Sequence, residues 1–378
     1  MKNVVIAGYA RSPFTLASKG ELAKVRPDDL AAQVVFGLVK ATGVKGEDIE
    51  DLFLGCAFPE GEQGLNLARL VALHAGLPQS VAGVTINRLC GSSMQSIHMA
   101  AGAIQMGAGE AFICAGVESM TRVPMMGFNP LPNPALHAKL PAAYMSMGET
   151  AENVAQRYQL TRREQEEFAV ASQKKAAAAQ AGGRFDAEIV PIAQDGRTVA
   201  KDGCIRPDTT VEALSGLKPA FDEHGSVTAG TSSPLTDGAS ATLVCTEEFA
   251  AKRGLQPLAR VKSIAVAGCA PEIMGIGPVA ATHKALERAG ISVKQLDVIE
   301  LNEAFASQSI ACIRDLGLDP KTVNLDGGAI ALGHPLGATG ARITGKAAAL
   351  LKREKGRYAL ATQCIGGGQG IATILEAV

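Results

Sequence analysis

One local pattern occurs twice in this chain, and no other feature limits its fold as much. Ala41-Thr-Gly-Val-Lys-Gly-Glu-Asp-Ile-Glu-Asp-Leu-Phe-Leu-Gly55 and Arg288-Ala-Gly-Ile-Ser-Val-Lys-Gln-Leu-Asp-Val-Ile-Glu-Leu-Asn302 have the same order. Each reads as a helix end, a glycine stop, a short charged turn and an apolar strand. The two glycines, Gly43 and Gly290, stand 247 residues apart. A duplicated helix–strand unit at that distance predicts two similar halves. Around the first copy, strands are expected at 4–8, 49–56, 81–87 and 111–115, and helices at 27–43, 65–75 and 92–106. Alternation at this spacing predicts an α/β fold with a parallel-type sheet.

Residues from about 119 to 236 break the pattern. Met125-Met-Gly-Phe-Asn-Pro-Leu-Pro-Asn-Pro134 is irregular, and Thr161-Arg-Arg-Glu164 is a capping box leading into a solvated amphipathic helix. Glycine- and aspartate-rich loops follow. The chain therefore divides into a first half (1–118 plus 237–256), an inserted loop domain (119–236) and a second half (257–378).

Bulk chemistry narrows the function. Hydrophobic residues make up 47% and charged residues 19% of the 378, as in a compact globular chain. A net charge of −1, no Trp and only 4% aromatics argue against nucleic acid as a partner. The amino terminus reads directly as a strand, and no run of 18 apolar residues suggests membrane insertion. Eight cysteines without a CxxC pair predict neither a metal site nor a disulfide framework. A reducing cytoplasm fits such thiols best.

Cys90 lies in Val84-Thr-Ile-Asn-Arg-Leu-Cys-Gly-Ser-Ser-Met-Gln-Ser-Ile97, where a strand pattern turns into a helix pattern. Helix N-terminal N–H groups at such a corner favour a thiolate, although a free cysteine also fits a core position. Carrying the repeat forward by 247 residues from Cys90 leads to position 337, inside Gly328-Ala-Ile-Ala-Leu-Gly-His-Pro-Leu-Gly-Ala-Thr-Gly340. His334 thus belongs to the corner equivalent to that of Cys90, and the two can face one another across a pseudo-dyad.

Five motifs, in order, resemble the thiolase family over essentially the whole chain. They are Asn87-Arg-Leu-Cys-Gly-Ser-Ser93, Gly230-Thr-Ser-Ser-Pro-Leu-Thr-Asp-Gly-Ala239, Asn302-Glu-Ala-Phe305, Gly327-Gly-Ala-Ile-Ala-Leu-Gly-His-Pro-Leu-Gly337 and Gln363-Cys-Ile-Gly-Gly-Gly-Gln-Gly370. The resemblance implies a thiolase-like helix-sheet-helix-sheet-helix core. It also implies a two-step acyl transfer that cleaves 3-ketoacyl-CoA with coenzyme A, which is a substrate and not a tightly bound cofactor. Cys90 would carry the acyl group as a thioester nearly isoenergetic with that of CoA, and His334 would take its proton. Cys364 would be the acid/base at the α-carbon of acetyl-CoA, for which a thiol is better matched than a carboxylate. His334 with a water on Asn302 would form one oxyanion hole, and the N–H groups of Cys90 and Gly366 the other.

The resemblance further places Ser233, Met147, Met274, Phe221 and Phe305 along the pantetheine channel and Arg206 near the phosphate end. Ser146 stands where short-chain biosynthetic members carry a histidine. This departure favours degradative thiolysis in β-oxidation over dedicated acetoacetyl-CoA synthesis. A ketoacyl-synthase-type condensing enzyme would lack Cys364, and a catalytically silent acyl-CoA carrier should have lost one of the three reactive residues. Gly340-Ala-Arg-Ile-Thr-Gly-Lys-Ala347 imitates a P-loop, but has Ala347 in place of Ser or Thr. A homodimer or homotetramer, or a complex with other β-oxidation enzymes, is expected.

Overall fold

The repeat in the sequence becomes a repeat in space. The computed structural model describes residues 2–378. Its first part runs β1 (Val4–Arg11), a two-residue β2 (Thr15–Leu16), α1 (Pro27–Thr42), β3 (Asp51–Gly55), α2 (Leu67–His74), β4 (Ala82–Ile86), α3 (Ser92–Gln105) and β5 (Ala111–Ser119). The intervening stretch holds α4 (Pro134–Lys139), α5 (Met147–Arg157), α6 (Arg162–Ala181), the hairpin β6 (Ile192–Gln194) and β7 (Arg197–Val199), and α7 (Val211–Ser215). Then come β8 (Thr236–Thr246), α8 (Glu247–Arg253), β9 (Ala259–Gly268), α9 (Gly277–Ala289), β10 (Val298–Leu301), α10 (Ala306–Leu316), α11 (Ala329–Leu332), α12 (Leu336–Arg353), β11 (Tyr358–Ile365) and β12 (Gln369–Glu376).

Strand order is β10-β11-β12-β9-β1-β8-β5-β3-β4, with β2 against β8. Within it, β3-β5-β8-β1 and β10-β11-β12-β9 have the same succession of parallel and antiparallel neighbours. The halves join where β1 pairs with β9, Val5 opposite Arg260 and Ile6 opposite Ala259. Both glycine stops are real: Gly43 and Gly290 take left-handed φ of 71° and 67° after α1 and α9. Helices α1 and α2 bury their apolar sides on the outer face of the first half, and α9 and α10 do so on the second. Helices α3 and α12 pack together between the halves, giving five layers.

That central crossing is close. A Cβ on Gly340 of α12 would lie 2.2 Å from the Met94 nitrogen of α3, so only glycine admits the approach. Ala341 N–H also donates to Ser93 Oγ at 2.8 Å.

Local expectations mostly hold at their starts and shift at their ends. β1 and β5 run on to Arg11 and Ser119 because their later residues still pair with β8. The helix expected from 65 starts at Leu67, since Asn66 caps it and Leu65 is exposed with φ 58°. Thr161 and Glu164 form the capping box at α6. That helix is not solvated all round: Gln165, Glu166 and Gln173 share a buried face with Ala169 and Ala176. Most of their polar atoms find partners, with Glu166 accepting from Arg162 Nε at 2.7 Å and Gln165 Nε2 donating to Ser226 Oγ at 2.9 Å, while Gln165 Oε1 has none among the described residues.

A buried ionic network ties the inserted stretch to the sheet. Arg11 at the end of β1 makes a bidentate pair with Asp202 at 2.7 and 2.8 Å and a third bond to Glu188 at 2.8 Å. Lys346 of α12 meets Glu188 at 2.9 Å and Asp326 at 2.8 Å. Removing one partner from such a pair leaves an uncompensated buried charge. Asp202→Ala should therefore lower unfolding free energy by about 3–5 kcal/mol, read by urea denaturation followed by far-UV circular dichroism.

Candidate active site

Cys90 sits just before α3, and its backbone is held from several sides. Leu89 has a φ of 44°, an uncommon conformation for a branched side chain. Two bonds fix it: Leu89 N–H donates to Asn87 Oδ1 at 2.8 Å, and Ser92 Oγ donates to Leu89 O at 2.6 Å. Gln363 Nε2, one residue before Cys364, donates to the Cys90 carbonyl. The second half thus grips the corner of the first.

The thiol itself is buried, packed with Ala57, Met120 and Leu336. Burial pushes its pKa up to about 11, against the pull of the Gly366 N–H that faces it. The sequence alone suggested a thiolate favoured by the helix terminus; desolvation outweighs that effect, and Cys90 rests as a thiol. A Cβ on Gly366 would come within 3.0 Å of Leu89 Cδ1 and 3.3 Å of Met147 Sδ. Glycine therefore keeps the Gly366 N–H close to sulfur.

His334 lies immediately before α12 and is 4% exposed. Burial, with Arg342 as the next influence, holds its pKa down to about 3, so the imidazole is neutral. Its tautomer follows from Thr339. That hydroxyl donates to Pro335 O at 3.1 Å, so at 2.6 Å it accepts from the His334 Nδ1–H. Nε2 is left with its lone pair, 3.4 Å from Asn302 Nδ2. Asn302 follows β10 and is fully buried, and its Oδ1 has no protein partner among the described residues. A neutral base and a free amide oxygen thus lie side by side.

Cys364, near the end of β11, is 1% exposed and sits with Met147, Met274 and Phe305 in one apolar cluster. Burial raises its pKa well above the ordinary thiol value, with Cys90 as the next cause. The β11–β12 turn that follows needs Gly367 and Gly368, with φ of 77° and 83°.

Beside Cys90 opens a cavity of about 320 Å³ lined by Phe58, Met125, Met126, Leu131, Met145 and Met147, with Gly366 at its rim. A larger groove of about 770 Å³, between α1 and residues 187–191, contains none of Cys90, His334, Asn302 and Cys364.

The residues proposed for CoA divide into two groups. Phe221 and Phe305 meet edge to face with ring centres 5.9 Å apart, next to Met147 and Met274, and Ser233 N–H donates to Ala304 O at 2.9 Å. Arg206 stands apart: it is exposed on a loop, anchored by its backbone N–H on Gln173 Oε1 at 2.8 Å. Ser146 is the N-cap of α5 and forms a capping box with Glu149.

Sequence reasoning missed Thr339, Gln363 and Asn87. Thr339 could have been found, since it sits five residues past His334 on the turn that starts a helix. For Gln363 only the three-dimensional approach of the halves gives a signal, whereas Asn87 makes a local bond to Leu89 N–H of the kind an Asn two residues back can supply.

Residues 4–248 match the family description "Thiolase, N-terminal domain" and residues 255–377 match "Thiolase, C-terminal domain". The chain belongs to the thiolase family. It is 48% identical over 389 aligned positions to a 3-ketoacyl-CoA thiolase of Bacillus subtilis (strain 168), with 100% of both chains covered. Among solved structures it resembles the acetyl-CoA acetyltransferase of Bacillus anthracis (TM-score 0.92, 41% identity, covering 100% of this chain and 99% of that one). It resembles equally a human mitochondrial 3-ketoacyl-CoA thiolase in complex with CoA (TM-score 0.92, 38% identity, covering 100% and 98%).

If Thr339 sets the tautomer, Thr339→Val should leave the fold intact and lower kcat by about 10–100-fold. Steady-state thiolysis assays beside a thermal melt check this outcome.

Proposed function

We propose that this protein is a 3-ketoacyl-CoA thiolase, cleaving 3-ketoacyl-CoA with CoA into acetyl-CoA and a shortened acyl-CoA. The observation that carries the reading is a neutral, tautomer-fixed His334 and two buried thiols at the seam of the halves. In the first step the Cys90 thiol passes its proton to His334 Nε2 as sulfur attacks the 3-keto carbon. The Gly366 N–H faces the reacting centre from one side. The bond between C2 and C3 then breaks, and the departing acetyl-CoA enolate takes a proton from Cys364. In the second step the Cys364 thiolate takes the proton of CoA, whose sulfur attacks the acyl-Cys90 thioester. Cys90 leaves and recovers its proton from His334.

A thiol at rest suits this sequence. Burial keeps Cys90 and His334 neutral until substrate binds, and a premature thiolate does not form. CoA is a substrate here, with Ser233, Met147, Met274, Phe221 and Phe305 proposed along its pantetheine arm and Arg206 at its phosphate end.

The apolar cavity beside Cys90 favours an acyl chain longer than acetoacetyl, as does Ser146 in the place where short-chain biosynthetic members carry a histidine. Among the described residues, half-buried β4 pairs only with β3, leaving one edge open near exposed Leu65, Leu70 and Leu73. That open, apolar edge supports a homodimer built across it. Eight unpaired cysteines favour a reducing cytoplasm.

The test compares wild type and Cys90→Ser on 3-ketoacyl-CoAs of increasing length. Wild type should cleave an eight-carbon substrate well, and Cys90→Ser should cleave none while remaining folded. Turnover confined to acetoacetyl-CoA would instead favour an acetyl-CoA acetyltransferase, the name carried by one structural neighbour. Turnover by Cys90→Ser would remove the mechanism altogether.

A further inference from the structure

We propose that Glu118 is the positioning residue that fixes the Cys90 corner and the His334 loop relative to one another. The proposal rests on the acyl-transfer reading above and adds a residue to it. Glu118 stands near the C-terminal end of β5 as Ile365, next to Cys364, ends β11; the two are 247 residues apart. By the pseudo-symmetry of the fold, it meets the start of α12 at Gly337 as Ile365 meets the start of α3 at Gly91.

The carboxylate is fully buried and bridges both halves. Oε2 accepts from Ala57 N–H at 2.8 Å and from Gly337 N–H at 2.8 Å. Oε1 accepts from Gln63 Nε2 at 2.9 Å, from Phe58 N–H at 3.2 Å and, weakly, from Cys56 Sγ at 3.7 Å. On one side, Ala57 continues the chain of contacts: its carbonyl accepts from Asn87 Nδ2 at 2.9 Å, and Asn87 Oδ1 holds Leu89 N–H beside Cys90. On the other side, Gly337 lies in the first turn of α12, three residues after His334. A Cβ there would fall 2.6 Å from Val117 O and 2.8 Å from Glu118 Oε2, so the close approach is built in.

Two physical points give the contact its meaning. Four of the five groups, the three backbone N–H groups and Gln63 Nε2, can only donate to the carboxylate; the Cys56 sulfur is at most a weak, distant acceptor. A protonated Glu118 would have only that sulfur for its hydrogen, so the four N–H donors hold it as an anion even though burial pushes its pKa up. Its sign is also wrong for an electrostatic helper, because a negative charge near Cys90 opposes the thiolate. What Glu118 contributes is fixed geometry, with one oxygen shared between the two loops. Displacing reacting groups by about 1 Å can cost about 100-fold in rate.

The experiment measures single-turnover acylation of Cys90 by an acyl-CoA, with KM and thermal unfolding determined in parallel. Glu118→Gln keeps the shape but turns an NH2 group towards backbone donors. It should slow acylation by about 100-fold or more while KM for the acyl-CoA stays within about threefold. Gln63→Met removes one donor on the Phe58 side and leaves the Gly337 bond; it should slow acylation by about tenfold and decides the matter if Glu118→Gln does not fold. Acylation within about threefold of wild type in the folded variants, or a loss that follows KM, overturns the positioning role. Wild type that never becomes acylated would overturn the acyl-transfer reading itself, a separate result.

Discussion

The crossing of α3 and α12 at the centre of the molecule is the contact on which the rest depends. Each helix begins at a reactive corner, Cys90 for one and His334 for the other. Their closeness is set by Gly340 against the Met94 backbone and by the bond from Ala341 to Ser93. A bulkier residue at 340 would push the helices apart, and both corners would move with them. Everything else at the seam, including Gln363 on the Cys90 carbonyl and Glu118 on Gly337, holds the angle that this crossing creates.

Burial is the second governing effect, and it acts on the reactive groups in opposite senses. It raises both thiols and lowers the imidazole, so each resists carrying charge. Charge separation then depends on groups that substrate brings, or that lie ready as N–H donors. This arrangement suits a covalent acyl carrier, because a buried thiol and a buried imidazole both stay neutral until a carbonyl arrives.

Much of this could be read in the sequence, for identifiable reasons. The glycine stops at 43 and 290 and the strands after them are local signals, so the duplication was visible without any structure. The corner at Cys90 and the His334 loop followed from the same repeat. The resting state of Cys90 was not legible, because helix position is a local property and burial a tertiary one. Glu118 gave no signal either: a single acidic residue near the end of an apolar strand reads as solvated until both halves close on it. Arg206, assigned by resemblance, lies on an exposed loop and does not line the cavity beside Cys90.

The central claim is that Cys90 carries the acyl group while Cys364 manages the proton. It is tested most directly by incubating wild-type protein with an eight-carbon 3-ketoacyl-CoA in deuterated buffer without free CoA. Peptide mass spectrometry should then find a six-carbon acyl thioester on the Cys90 peptide, with released acetyl-CoA bearing deuterium on its methyl group. An acyl group on Cys364 or any other cysteine, or acetyl-CoA released with no adduct at all, would contradict the account.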